Sequence, residues 1–160
     1  LRCAVVTGAG TGTWQHERDS GVYTELQPGS YVFMDADYGR NALAPDQHHF
    51  EQSLFVLTTV MSVAVPVHAV VDAGHKSHAV DSGLPRVRGA DLEFANGGDE
   101  HGILRPRGSP LPALDDTVWL IPGHCDPTVN LHDHYVVMRG GLDAGVVEAV
   151  WPIDARGCIR

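Results

Sequence analysis

From Phe50 onward the chain offers stretches of β-branched and apolar residues cut by glycine and proline, with no helical period sustained beyond about three turns. Leu54 to Ala64 is long and rich in Val and Thr, and Val67 to Gly74 follows it directly. Gly74, Gly83, Pro85, Gly89, Gly97, Gly98 and Pro106 then break the chain at close spacing. Val118 to Ile121, Tyr135 to Arg139 and Val146 to Trp151 supply further apolar runs. Short strands between frequent turns predict a mainly β, antiparallel domain in this part. Trp119 and Trp151 read as its β core.

The first third has a different texture. Leu1 to Thr7 reads as a short strand buried on both faces, as in a parallel sheet. It enters Gly8-Ala9-Gly10-Thr11-Gly12-Thr13, where small residues let the backbone approach a ligand and successive N–H groups with two Thr hydroxyls could cradle a phosphate. The spacing matches neither a Walker loop nor a dinucleotide fingerprint, and a flexible Gly-rich turn fits the same residues. Val22 to Leu26 and Tyr31 to Met34 are two more strand candidates, separated by the Pro28-Gly29 turn. The polar, Gly- and Pro-bearing stretch from Asp35 to His49 reads as a connection between domains.

The chemistry concentrates at Ile121-Pro122-Gly123-His124-Cys125-Asp126-Pro127-Thr128. If residues 124–126 are extended, His124 and Asp126 share a face and Cys125 points away. An imidazole nitrogen and a carboxylate on one side make half a divalent-cation site, with water or substrate oxygen completing it. The alternative is structural: Asp126 caps the following turn and His124 is a hydrogen-bonded strand-end histidine.

Composition narrows the setting. The formal net charge of −9 argues against a nucleic-acid partner. No run of 18 apolar residues predicts a membrane span, and no signal-peptide pattern opens the chain. Three scattered cysteines fit a reducing compartment such as the cytoplasm better than a disulfide framework. The chain opens at Leu1 without Met, which reads as a piece cut from something longer.

Six stretches in order carry a resemblance: Thr7 to Thr13, Gln27 to Asp35, Val70 to Gly74, Asp99 to Gly102, Pro122 to Thr128 and Val150 to Ile153. Together they resemble the carboxy-terminal portion of the D-threonine aldolase / D-serine dehydratase family over nearly the whole chain. The resemblance implies an N-terminal (β/α)₈ barrel of the alanine-racemase type, which holds pyridoxal 5′-phosphate, followed by a β domain. Residues 1–48 would be the last strands and phosphate-binding loop of that barrel, and residues 49–160 the β domain with the metal site. A closed barrel of this kind takes about 200 residues or more, so a chain of 160 residues cannot supply it together with a second domain.

By the same resemblance, Gly8, Gly10, Thr11, Gly12 and Thr13 are the cradle for the cofactor phosphate. Tyr31 or Phe33 lines the cofactor pocket, with core packing the stronger reading for Phe33. His124 and Asp126 are the metal ligands. The family carries His-x-Cys in dehydratase-like members and His-x-Asp in aldolases, so Asp126 leans toward the aldolases. Lacking a thiolate at that position, the pair favours Mn²⁺ or Mg²⁺, with Zn²⁺ still possible.

Glu100 and His101 would orient the pair or make a turn hydrogen bond, His132 and Asp133 would support it or cap a helix, and His134 would sit in the pocket or at the surface. The implied substrate is a small D-β-hydroxy-amino acid and the implied assembly a homodimer. The ion would act as a Lewis acid on the β-hydroxyl, leading to glycine plus aldehyde, or to dehydration as in D-serine dehydratases. A metal-binding or dimerisation module without catalysis is the third reading. The family's cofactor lysine belongs to the early barrel, and the only lysine here, Lys76, lies in another context, so no catalytic residue is assigned and this chain alone is expected to be inert.

Overall fold

The computed structural model describes residues 3–43 and 45–158. Its centre is a six-stranded antiparallel sheet built from β3 (Val56–Val65), β4 (His68–Val71), β5 (Arg86–Val87), β6 (Leu92–Asn96), β7 (Gly102–Pro106) and β8 (Thr117–Ile121), in the order β5-β8-β3-β4-β7-β6. The two edge strands, β5 and β6, follow one another in sequence. Only residues 88–91 join them, a link that reaches at most about 17 Å. The sheet therefore curls until its edges approach, giving a nearly closed barrel-like form.

The alternation in β3 shows why these residues form strands. Val56, Thr58 and Val60 point inward and are buried, while Leu57 and Met61 point outward. Val60, Ala69, Val71, Leu104 and Leu120 are wholly inaccessible and meet in one core with Val56, Ala73, Val87, Phe94 and Val118. Gly102 must lack a side chain, since a Cβ there would lie 2.4 Å from the Phe94 ring.

Outside the sheet, β1 (Thr7–Gly8) and β2 (Glu25–Leu26) form a parallel pair of two residues each, flanking helix α1 (Trp14–Asp19). Helix α2 (Cys125–Val129) follows β8, and the hairpin of β9 (His134–Arg139) and β10 (Val146–Pro152) ends the fold.

Several expectations need correction. Residues 1 and 2 lie outside the described ones, and Cys3 to Val5 are exposed rather than a doubly buried strand; pairing begins only at Thr7. Tyr31 to Met34 is not a strand: Ser30–Val32 forms a 3₁₀ turn, and Met34 has a φ of 53°. A four-residue apolar run has too little period to separate the two states, and the preceding Pro-Gly turn delivers no strand partner. Trp151 is 57% exposed on its hairpin rather than in the core, while Trp119 is half-buried against Phe55. Among the described residues no helix is long and apolar enough to cross a membrane.

Candidate metal centre

Strand β8 delivers the site. It is held on both sides, by β3 through Val56 opposite Leu120 and by β5 through Arg86 opposite Ile121. Pro122 then ends the ladder because it has no N–H to give. Gly123 packs so closely that a Cβ would meet the Gly83 carbonyl oxygen at 1.9 Å, so no other residue fits without the loops moving apart. His124 is extended (φ −139°, ψ 129°) and stands immediately before α2, whose third residue, Pro127, is tolerated in a first turn.

No side chain within the helix caps α2. The cap comes from far away in sequence: the buried Asp35 carboxylate accepts the Cys125 N–H at 2.9 Å and, through its other oxygen, the Tyr38 N–H at 2.8 Å. Asp35 to Asp37 also run alongside the end of β8, where the N–H groups of Ala36 and Asp37 donate to the Pro122 and Gly123 carbonyls.

His124 and Asp126 converge, though not by the expected route. Residues 124–126 are not one extended run, because Asp126 already lies in the first helical turn. The imidazole Nε2 is nevertheless 3.7 Å from Asp126 Oδ2. The two atoms thus face each other across a gap too long for a hydrogen bond. Asp126 Oδ1 is occupied separately, accepting the Cys125 thiol at 3.1 Å and the Ser30 hydroxyl at 3.4 Å, whereas Oδ2 is the oxygen that faces the imidazole.

Cys125 is fully buried, and burial, helped by its bond to Asp126, pushes its pKa up to about 12. A neutral thiol donating to a carboxylate is a poor metal ligand. Among the described residues no group of three or more His, Cys, Asp or Glu side chains could enclose a metal.

Charge favours a cation here. Burial works against protonation of His124, but the hydrogen bond and charge of Asp81, with Asp126 and Asp35 nearby, outweigh it and raise the imidazole pKa. The other imidazole nitrogen, Nδ1, lies 2.9 Å from Asp81 Oδ2. Sequence reasoning passed over both Asp81 and Asp35. The Asp-Ser-Gly turn signal at residues 81–83 and the acid ending the Gln27 to Asp35 stretch were the available clues, and neither names its distant partner.

The remaining candidates scatter. Glu100 pairs with Lys76 on the surface and not with His124 or Asp126. His132 Nε2 meets the Ser77 carbonyl at 2.8 Å, Asp133 pairs with Arg156 at 3.0 Å, and His134 is exposed at the start of β9. In the Gly-rich loop, Gly8 packs against Tyr23 and Gly12 against Asn41, but nothing lies within 4 Å of where a Gly10 Cβ would be. Thr13 Oγ1 accepts the Gly10 N–H at 3.3 Å, and Thr11 Oγ1 accepts the Tyr31 N–H at 3.1 Å. Tyr31 itself is 42% exposed, with its ring 5.2 Å from that of Phe50; Phe33 packs 5.5 Å from the Tyr135 ring.

An antiparallel barrel-like β domain bearing a His–Asp pair just past one strand end is the class that fold and site define. Residues 53–138 match the family described as "Putative serine dehydratase domain", and the chain belongs to that family. More particularly, it corresponds to the C-terminal D-serine dehydratase-like part of D-threonine and 3-hydroxy-D-aspartate aldolases. It is 52% identical over 157 residues to the 3-hydroxy-D-aspartate aldolase of Paracoccus denitrificans (strain Pd 1222), covering 95% of this chain and 39% of that protein. It is 47% identical over 162 residues to a D-threonine aldolase of Arthrobacter sp, covering 100% of this chain and 41% of the relative.

The D-threonine aldolase of Filomicrobium marinum superposes with a TM-score of 0.93 at 46% identity, over 100% of this chain and 43% of that one. The D-threo-3-hydroxyaspartate dehydratase of Delftia sp. HT23 superposes with a TM-score of 0.70 at 26% identity, over 95% and 44%. The chain thus spans about two fifths of the length of the relatives it matches.

Proposed function

We propose that this chain is the metal-binding part of a pyridoxal 5′-phosphate- and divalent-metal-dependent lyase that cleaves D-β-hydroxy-amino acids to glycine and an aldehyde. The observation that carries this reading is the 3.7 Å approach of His124 Nε2 to Asp126 Oδ2, with a carboxylate at the second ligand position. Relatives named as aldolases stand at 46–52% identity, against 26% for the dehydratase. Solved forms of that dehydratase include a His→Ala mutant and, two positions further along its own chain, a Cys→Ala mutant described as metal-free. Where that protein has cysteine after the same spacing, this chain has Asp126, a harder donor suited to Mn²⁺ or Mg²⁺.

In this reading His124 Nε2 and Asp126 Oδ2 would hold the ion. Asp126 remains open, its side chain 67% exposed, so water and a substrate could reach it. Bound there, the ion supplies Lewis acidity at the substrate's β-hydroxyl. Cys125 and Ser30 fix the carboxylate by donating to Oδ1, and Asp35 fixes the helix that carries it.

Residues 1–48 form the end of the cofactor domain and residues 49–160 the β domain. In this reading the Gly8, Gly10, Thr11, Gly12 and Thr13 loop would hold the cofactor phosphate, a role supported by the space left around Gly10, and Tyr31, whose N–H donates to Thr11 Oγ1, would border it. The cofactor, when bound, supplies the electron sink for charge arriving at Cα. Two copies of the complete protein form a homodimer in this reading, supported by the apolar residues Val136, Val147, Val150 and Trp151 left exposed on the β9–β10 hairpin.

Calorimetry with Mn²⁺ tests the metal: the chain binds one ion, and His124→Ala or Asp126→Ala abolishes the uptake. A chimera in which this chain replaces its matched segment of the Arthrobacter aldolase tests the reaction. Release of glycine and aldehyde supports the proposal, whereas ammonia and a 2-oxo acid would convert it to the dehydratase reading.

A further inference from the structure

Loop 77–83, between β4 and β5, is bound to the metal-bearing segment at several points. The Ala79 N–H donates to Thr128 Oγ1 at 3.1 Å, and that hydroxyl donates to the His124 carbonyl at 2.7 Å. His132 Nε2 reaches the Ser77 carbonyl. Gly83, with a φ of 112° that side chains rarely adopt, turns the loop so that its carbonyl abuts Gly123. Arg40 Nη2 donates to the Ser82 carbonyl at 3.0 Å, anchoring the turn from the other side. This scaffold brings Asp81 Oδ2 to 2.9 Å from His124 Nδ1, while the Ser82 hydroxyl donates to the same carboxylate oxygen at 3.3 Å.

Building on the metal reading of His124 and Asp126, we propose that Asp81 is a positioning residue that fixes the His124 tautomer and aims its free Nε2 lone pair at the ion. A carboxylate only accepts hydrogen bonds, so at 2.9 Å the shared proton resides on Nδ1. In the neutral ring Nε2 is then bare, and Nε2 is the nitrogen that faces Asp126 Oδ2. The proton and the metal thus have separate nitrogens. A carboxylate behind the imidazole also raises its basicity as a ligand. Nothing in the fold of the sheet needs Asp81: its side chain is 53% exposed and lies outside the core.

Two readouts on the 160-residue chain test the assignment. The first is the His124 tautomer without metal, read from two-bond ¹⁵N–¹H couplings above the pH where the imidazole titrates. Wild type carries its proton on Nδ1, and Asp81→Ala lets Nε2 take it up. Asp81→Asn, which keeps an acceptor oxygen, retains the Nδ1 form. The second is Mn²⁺ affinity by calorimetry, expected to fall about 10- to 100-fold in Asp81→Ala and less in Asp81→Asn.

Unchanged melting temperatures in both variants confirm that the fold is intact. Asp126→Ala abolishes Mn²⁺ uptake but leaves the tautomer as in wild type. A wild-type chain that binds Mn²⁺ and keeps both tautomer and affinity in Asp81→Ala overturns this inference alone. A wild-type chain with the Nδ1 proton that takes up no Mn²⁺ overturns the metal reading and, with it, the role of Asp81 toward an ion.

Discussion

The six-stranded sheet and the segment before it are held together by different forces. Every member of the hydrophobic core lies between Val56 and Leu120. Among the described residues up to Phe50 the buried side chains are Thr11, Ser30, Asp35 and Ala36, all polar or small, while Val5, Val22 and Val32 are more than half exposed. The sheet is stabilised by apolar area removed from water. The preceding segment combines ring contacts of Trp14, Tyr31 and His48 with Phe50 and hydrogen bonds, several of which reach the loops around His124. Ordering by such contacts puts the segment where it can support a site without burying it.

The sharpest way to break this comparison is to remove core volume. Leu120→Ala takes a fully buried side chain from a strand bonded on both sides. It is expected to cost about 2–5 kcal/mol in denaturant unfolding. Val22→Ala, at a 60% exposed position of the other region, should stay within about 0.5 kcal/mol. Comparable losses at the two sites would show that the first segment has a core of its own.

Acid probes the junction through His78, which is only 2% exposed and stacks edge-on against Phe94 at 5.1 Å. Burial, with a smaller contribution from nearby His75, lowers its pKa from 6.5 to about 4. The unfolded chain therefore takes up this proton first as pH falls. Its effect on stability is absent above about pH 6.5, grows down to about pH 4, and reaches roughly 3 kcal/mol of destabilisation. Melting curves of wild type and His78→Gln should converge in their pH slopes above that window and separate within it. Parallel slopes throughout would mean that His78 is not buried as a neutral ring.

A smaller effect is expected at Asp35, the remote cap of α2. Asp35→Ala leaves the Cys125 and Tyr38 N–H groups without their acceptor, one of them beside a buried thiol. The loss should be about 1–3 kcal/mol. Because the cap orients the turn that carries Asp126, Mn²⁺ affinity should fall with it, whereas Val22→Ala leaves that affinity intact. Lost stability with unchanged Mn²⁺ binding would separate the cap from the site.

The same contrast explains what could be read from the residues alone. Val56–Val65, Thr117–Ile121, His134–Arg139 and Val146–Pro152 were legible because alternation and β-branching are local signals. The His124–Asp126 pair was legible from spacing, although the backbone that joins its members turned out to be a strand end running into a helix. Tyr31 to Met34 misled because a short apolar run carries no period. Asp81 and Asp35 were invisible for a different reason: each meets the site across 43 or 90 residues of chain, through contacts that only the closed fold creates.

The smallest effect is predicted at Lys76, the chain's only lysine, and it bears directly on what the chain does alone. Lys76 pairs with Glu100 across two exposed side chains, and that hydrogen bond and charge raise the lysine pKa. A protonated ammonium in water is neither a strong stabiliser nor a nucleophile toward an aldehyde. Lys76→Met should therefore leave the melting temperature and Mn²⁺ affinity unchanged. Pyridoxal 5′-phosphate added in equal amount should give the same absorbance with either protein. A lysine-bound pyridoxal band that appears in wild type and vanishes in Lys76→Met would show that the chain attaches its own cofactor, and the division of labour between the sheet and a separate cofactor-bearing part would then have to be abandoned.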